Sequence, residues 1–91
     1  MKEVKIESMH QINLAGIKLP VVTIYDHPLD HPMEVIVRAW DTSVMPPAPT
    51  REYVSYQTIS QAEEDIRAAG FRIRLPRNPA DAKCIVASYI K

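Results

Sequence analysis

Glycine is scarce in this chain: only Gly16 and Gly70 occur in 91 residues. Two isolated glycines cannot write a P-loop or a dinucleotide fingerprint, whose turns bring backbone N–H groups against phosphates. A Gly-x-Ser-x-Gly nucleophile elbow is excluded in the same way. Cysteine is scarcer still. Cys84 is the only one, so no internal disulfide forms, and a reducing cytoplasm is the expected location. Between apolar neighbours Cys84 reads as an inert small hydrophobe. Uninterrupted apolar runs reach only a few residues, far short of the ~20 that a membrane span needs. The opening MKEVKIES alternates charged and apolar residues and lacks a signal peptide's apolar centre. No sign of charge dominates, with 11 bases and 11 acids. These absences point away from an enzyme, from any cofactor and from the membrane.

What is present is a globular balance, 46% apolar and 24% charged. A single domain spanning 1–91 is expected, burying roughly 60–65% of its unfolded surface. Val4 and Ile6 alternate with charges, as in a half-buried strand. Ile12 and Leu14 resume that pattern, Ala15-Gly16 reads as a turn, and Ile17 and Leu19 restart the alternation before Pro20. Residues 21–25 are β-branched and aromatic, a strong strand. In residues 34–41, Val35, Val37 and Ala39 share one face while Glu34, Ile36, Arg38 and Trp40 share the other. Apolar residues on both faces predict a central strand. The prolines of 42–50 predict an extended loop, and residues 51–57 the next strand.

One helix is predicted over 61–69. Ser60 and Glu63 have capping-box spacing, and Ile59, Ala62, Ile66 and Ala69 form an apolar stripe. Glu63 and Arg67 make an i,i+4 pair, and Gly70 falls at the left-handed C-cap. Phe71, Ile73 and Leu75 then alternate with Arg72 and Arg74, predicting a strand with one core face and one cationic face. Residues 76–81 read as a loop and 84–90 as a last buried strand. The order β-β-β-β-α-β-β predicts an α+β domain: a mainly antiparallel sheet of five to six strands with the helix on one face.

Two stretches invite chemistry. The first is doubled: Asp26-His27-Pro28, then Asp30-His31-Pro32. Two histidines and two carboxylates in seven residues suggest a metal loop of His27, His31, Asp26 and Asp30. Proline argues against it. Each histidine precedes a proline and is steered out of the α region, and four extended residues span ~13 Å. The loop would have to fold back on itself. The proline two residues after each aspartate also lacks the N–H that an Asx turn uses. Asp26 and Asp30 must therefore find other partners. The ordinary reading is a wide polar hairpin loop.

The second is charge layout. Residues 1–66 hold ten acids and five bases, and residues 67–91 hold six bases and one acid, about −5 against +5. Arg67, Arg72, Arg74 and Arg77 lie within eleven residues and are the candidate face for an anion or an acidic partner. Separately, Pro46-Pro47-Ala48-Pro49-Thr50-Arg51 matches the P-x-x-P-x-R pattern of SH3-type ligands, with a stiff inter-strand connection as the ordinary reading.

Ile24–Trp40, with its Tyr-Asp-His-Pro and Val-Arg-Ala-Trp-Asp, together with Arg77-Asn78-Pro79 and Ile85-Val86, resemble short bacterial proteins that carry no assigned activity. The resemblance covers about a third of the chain. It implies a free-standing small bacterial protein and no particular chemistry. The leading expectation is a small non-enzymatic module acting by contact with another protein or with itself. The alternatives are a weak nucleic-acid or anion binder through Arg67, Arg72, Arg74 and Arg77, and a metal-binding loop at 26–31.

Overall fold

The computed structural model describes residues 4–12, 20–41, 46, 48–79 and 83–91. The expected turn at Ala15-Gly16, the strand restart at Ile17 and Leu19, and most of the proline loop at 42–47 lie outside those residues. In chain order the elements are β1 (Val4–Ile6), a 3-10 turn (Met9–Gln11), β2 (Val21–Asp26), β3 (Val35–Asp41), β4 (Ala48–Tyr56), α1 (Ile59–Ala68), β5 (Ile73–Pro76) and β6 (Ile85–Ile90). The strands form one sheet in the order β1-β4-β3-β2-β6-β5. Every pairing is antiparallel except β1 with β4. This is an α+β domain, with the helix packed on one face of an open sheet.

Alternation sorts the side chains between the two faces. Val22, Ile24, Val35, Val37, Ala39, Val54 and Tyr89 join Ala62 and Ile66 of the helix in one buried cluster. Met9 of the 3-10 turn, Ile12 just after it, and Phe71 after the helix complete it. Each such large side chain contributes about 1.5–3 kcal/mol by leaving water. The intervening positions face away from the helix. Registers Thr23–Arg38, Tyr25–Ile36, Arg38–Tyr53 and Thr23–Ser88 place those residues together. Ile36 is fully buried there without helical cover, and the Thr23 and Ser88 hydroxyls share a 2.9 Å hydrogen bond. The two-sided pattern read in 34–41 thus belongs to a strand inside the sheet.

Three local expectations are corrected. The helix begins at Ile59, capped by Thr58, whose Oγ1 accepts the Gln61 N–H at 3.1 Å. Gln61 Oε1 in turn accepts the Gln57 N–H. Thr58-x-x-Gln61 therefore takes the role assigned to Ser60-x-x-Glu63: both have capping-box spacing, and the earlier one also lets Ile59 pack on the core. The other end is as read. Gly70 adopts φ +98°, and its N–H reaches Arg67 O while Phe71 N–H reaches Ile66 O, a Schellman closure.

Second, β4 starts at Ala48, before residue 51. Pro49 lies opposite Trp40, next to a register shift between Arg38 and Trp40. A proline is tolerated beside such an irregularity because a ladder donor is already missing there. Ala48–Arg51 are thus strand residues, and the P-x-x-P-x-R stretch is not a free polyproline loop over that part.

Third, β5 does not bury its apolar side. Phe71 is buried, but Ile73 and Leu75 are 51% and 41% exposed. Phe71 reaches the core as the residue after the Gly70 cap, before the strand begins, so its parity does not carry into β5. Ile73 pairs with Ile90 and Leu75 with Ser88 on the helix-free face, while Arg74 pairs with Tyr89 on the helix side.

Candidate functional site

Residues 27–34 fold back over the helix-free face by consecutive turns. His31 N–H donates to Pro28 O at 2.9 Å and Glu34 N–H to His31 O at 3.2 Å. His27 N–H closes the loop on Glu34 O at 3.0 Å. His27 takes φ +50°, so it is left-handed where an extended residue was expected. Its Nδ1 lies 2.5 Å from Asp26 Oδ1, a contact that holds this uncommon conformation.

The second half of the repeat behaves differently. The Asp30 carboxylate takes Arg38 Nη2 at 3.1 Å. The Arg38 guanidinium lies over the Tyr53 ring, 5.4 Å from its centroid, and the His31 ring rests against Tyr53 at 4.8 Å. The two prolines deny both aspartates a turn bond, and each finds a side chain: Asp26 a histidine, Asp30 an arginine. The histidines are not brought onto a common point. Among the described residues no group of three or more His, Cys, Asp or Glu side chains is arranged to hold a metal ion.

Between this loop and the sheet lies a cavity of about 330 Å³. Its sheet side is Tyr25, Arg38 and Trp40, its loop side Pro28, Leu29 and Asp30, and its ends Pro49 and Cys84. The Trp40 indole N–H hydrogen-bonds the Tyr25 hydroxyl, and burial pushes the Tyr25 hydroxyl above its ordinary titration range, more than that bond and nearby Arg38 lower it. Leu29 stands at the cavity lip fully exposed, with Met33 similarly exposed nearby on the loop. The repeat read as Asp-His-Pro is thus Asp-His-Pro followed by an outward apolar residue, twice. Sequence reading missed this cavity because Tyr25, Trp40 and Cys84 each looked like ordinary strand residues. The available signal was the shared parity of Tyr25 with the Ile36, Arg38, Trp40 face.

The four arginines divide. Arg67 and Arg74 converge on one carboxylate: Glu63 meets Arg67 Nη2 at 3.5 Å and Arg74 Nε at 3.2 Å. Arg67 Nη2 also donates to the Tyr89 hydroxyl at 3.4 Å. Arg72 and Arg77 are exposed at the two ends of β5. The base-rich end meets the acid-rich part of the chain through Glu63 and through the pairing of β6 with β2. β6 and β5 occupy one side of the sheet beyond β2, with β5 outermost.

No helix among the described residues is long and apolar enough to cross a membrane. No family model, curated protein or solved structure matches the chain.

Proposed function

We propose that this chain is a non-catalytic protein-contact module that accepts an extended, acidic segment of another protein on its β5 edge. The observation that carries this reading is that β5 is an edge strand whose four residues are all exposed. An edge strand offers unpaired N–H and C=O groups to an added strand, and alternate side chains set the choice of partner. Ile73 and Leu75 supply two apolar contacts on the helix-free face. Arg72 and Arg77 bracket them with positive charge. The complementary segment carries apolar residues at alternate positions and carboxylates near its ends.

A second copy fits this edge less well. Antiparallel pairing of two β5 strands brings Arg72 near Arg77 of the other copy, and like charges oppose it. Four residues and a terminal Pro76 also make a short edge, of the kind that resists indiscriminate pairing. The expected affinity is modest and falls with salt.

Fluorescence anisotropy tests this with two labelled peptides, one alternating valine with glutamate and one alternating valine with lysine. The account expects saturable binding of the glutamate peptide, weakened by salt, and none of the lysine peptide. Equal behaviour of the two peptides would overturn it.

A further inference from the structure

The cavity beneath the Asp26–Glu34 loop is independent of the β5 edge, and its lining has a definite chemistry. We infer that it is a binding site for a small planar aromatic molecule whose polar edge carries an acceptor beside a donor, as in an aromatic primary amide.

Size comes first. A cavity of about 330 Å³ sits at the lower end of the range of small-molecule pockets. It suits one or two rings. The walls are aromatic and aliphatic surface, from Tyr25, Trp40, Leu29 and two prolines. Such walls favour a flat apolar body.

Polar groups fix the orientation. The Tyr25 hydroxyl accepts from Trp40, which leaves its own O–H to donate into the cavity. Asp30 holds Arg38 through Oδ2 and lines the cavity, so its second carboxylate oxygen is the acceptor this assignment uses. A ligand carbonyl suits Tyr25 and a ligand N–H suits Asp30. Because the Arg38 charge is already matched by Asp30, a neutral ligand suits the site better than an anion. Burial of the Tyr25 hydroxyl agrees with this, since a buried phenol stays protonated and able to donate.

Leu29 gives the site its closure. A fully exposed leucine at a cavity mouth loses its unfavourable contact with water when an aromatic ring fills the space beneath it. The doubled turns hold its backbone in place over the opening.

Trp40 is the only tryptophan and Cys84 the only cysteine of the chain, and both line the cavity. Each is therefore a reporter. Benzamide is the probe, titrated against intrinsic tryptophan emission and against the rate at which a thiol reagent labels Cys84. The expected result is a saturable emission change with a dissociation constant on the order of millimolar, as suits a fragment, and a parallel slowing of labelling. Tyr25→Phe weakens binding roughly three- to tenfold by removing the donor. Leu29→Ala, at a position whose exposure leaves folding unaffected, weakens it by a few-fold. Toluene, with no polar edge, gives a weaker response than benzamide. No saturable change at high benzamide, an equal response to toluene, or unaltered binding in both variants would overturn the assignment.

Discussion

The Tyr56 hydroxyl donates to Asp65 Oδ2 at 2.5 Å, and the same oxygen accepts the Met9 backbone N–H at 2.9 Å. One carboxylate on the helix thereby ties α1 to β4 and to the 3-10 turn before β2. The 3-10 turn, 56 residues away in sequence from Asp65, thus meets the neighbouring elements β4 and α1 at a single atom, beside the core residues Met9 and Ile66. This junction adds a polar tie to the apolar packing of Ala62 and Ile66 that holds the helix on the sheet.

That junction makes stability fall at high pH. Burial, then the hydrogen bond to Asp65 and its charge, raise the Tyr56 hydroxyl far above the ordinary tyrosine range. In the unfolded chain Tyr56 loses its proton near pH 10, while in the folded chain it keeps it. Above that pH the folded state binds more protons than the unfolded state, so stability declines as pH rises. Below pH 10 the contribution is fully present. Tyr25, raised mainly by burial, adds to the same trend. Melting temperatures from pH 9 to 12 are expected to drop beyond pH ~10. Tyr56→Phe is expected to be less stable at neutral pH and to show a shallower alkaline decline. An equally steep decline in the variant contradicts the assignment.

The helix start gives a comparison between two neighbouring residues. Thr58→Ala removes the acceptor for the Gln61 N–H and is expected to cost about 0.5–2 kcal/mol. Ser60→Ala sits inside the first turn and is expected to change stability by less than about 0.5 kcal/mol. Urea unfolding of both variants measures this. A larger loss at Ser60 would restore the cap to the later position.

Much of the fold was legible because its signals are local or periodic. The strands at 21–26, 35–41 and 85–90, the Ile59-Ala62-Ile66 stripe and the Gly70 cap all follow from spacing alone. The cap at Thr58 was missed because two capping boxes overlap and only packing of Ile59 chooses between them. The exposed side of β5 was missed because Phe71 is buried outside the strand, which inverts the parity expected for Ile73 and Leu75. The cavity was hidden for another reason. Its walls come from β2, β3, β4, the turn residue before β6 and a loop, and it exists only because that loop folds back. Proline placement indicated an extended loop, yet His27 at φ +50° and two successive turns reverse it.

Glu63 sets how much positive charge the β5 end displays. It holds both Arg67 and Arg74. These are partly exposed pairs, so Glu63→Gln is expected to cost less than about 1 kcal/mol in stability. Its larger effect is on charge, since two guanidinium groups lose their common carboxylate. Retention on a phosphate-bearing cation exchanger is expected to rise, with elution at higher salt than the parent protein. Unchanged retention would show that Glu63 does not mask the arginines.

The most direct measurement of the central claim is amide hydrogen exchange, residue by residue, with and without the valine–glutamate peptide. Strand addition at β5 predicts slower exchange for backbone amides within Ile73–Leu75, and unchanged exchange for Val4–Ile6 at the opposite edge of the sheet. Protection confined to β1, or binding without protection at either edge, would contradict the account.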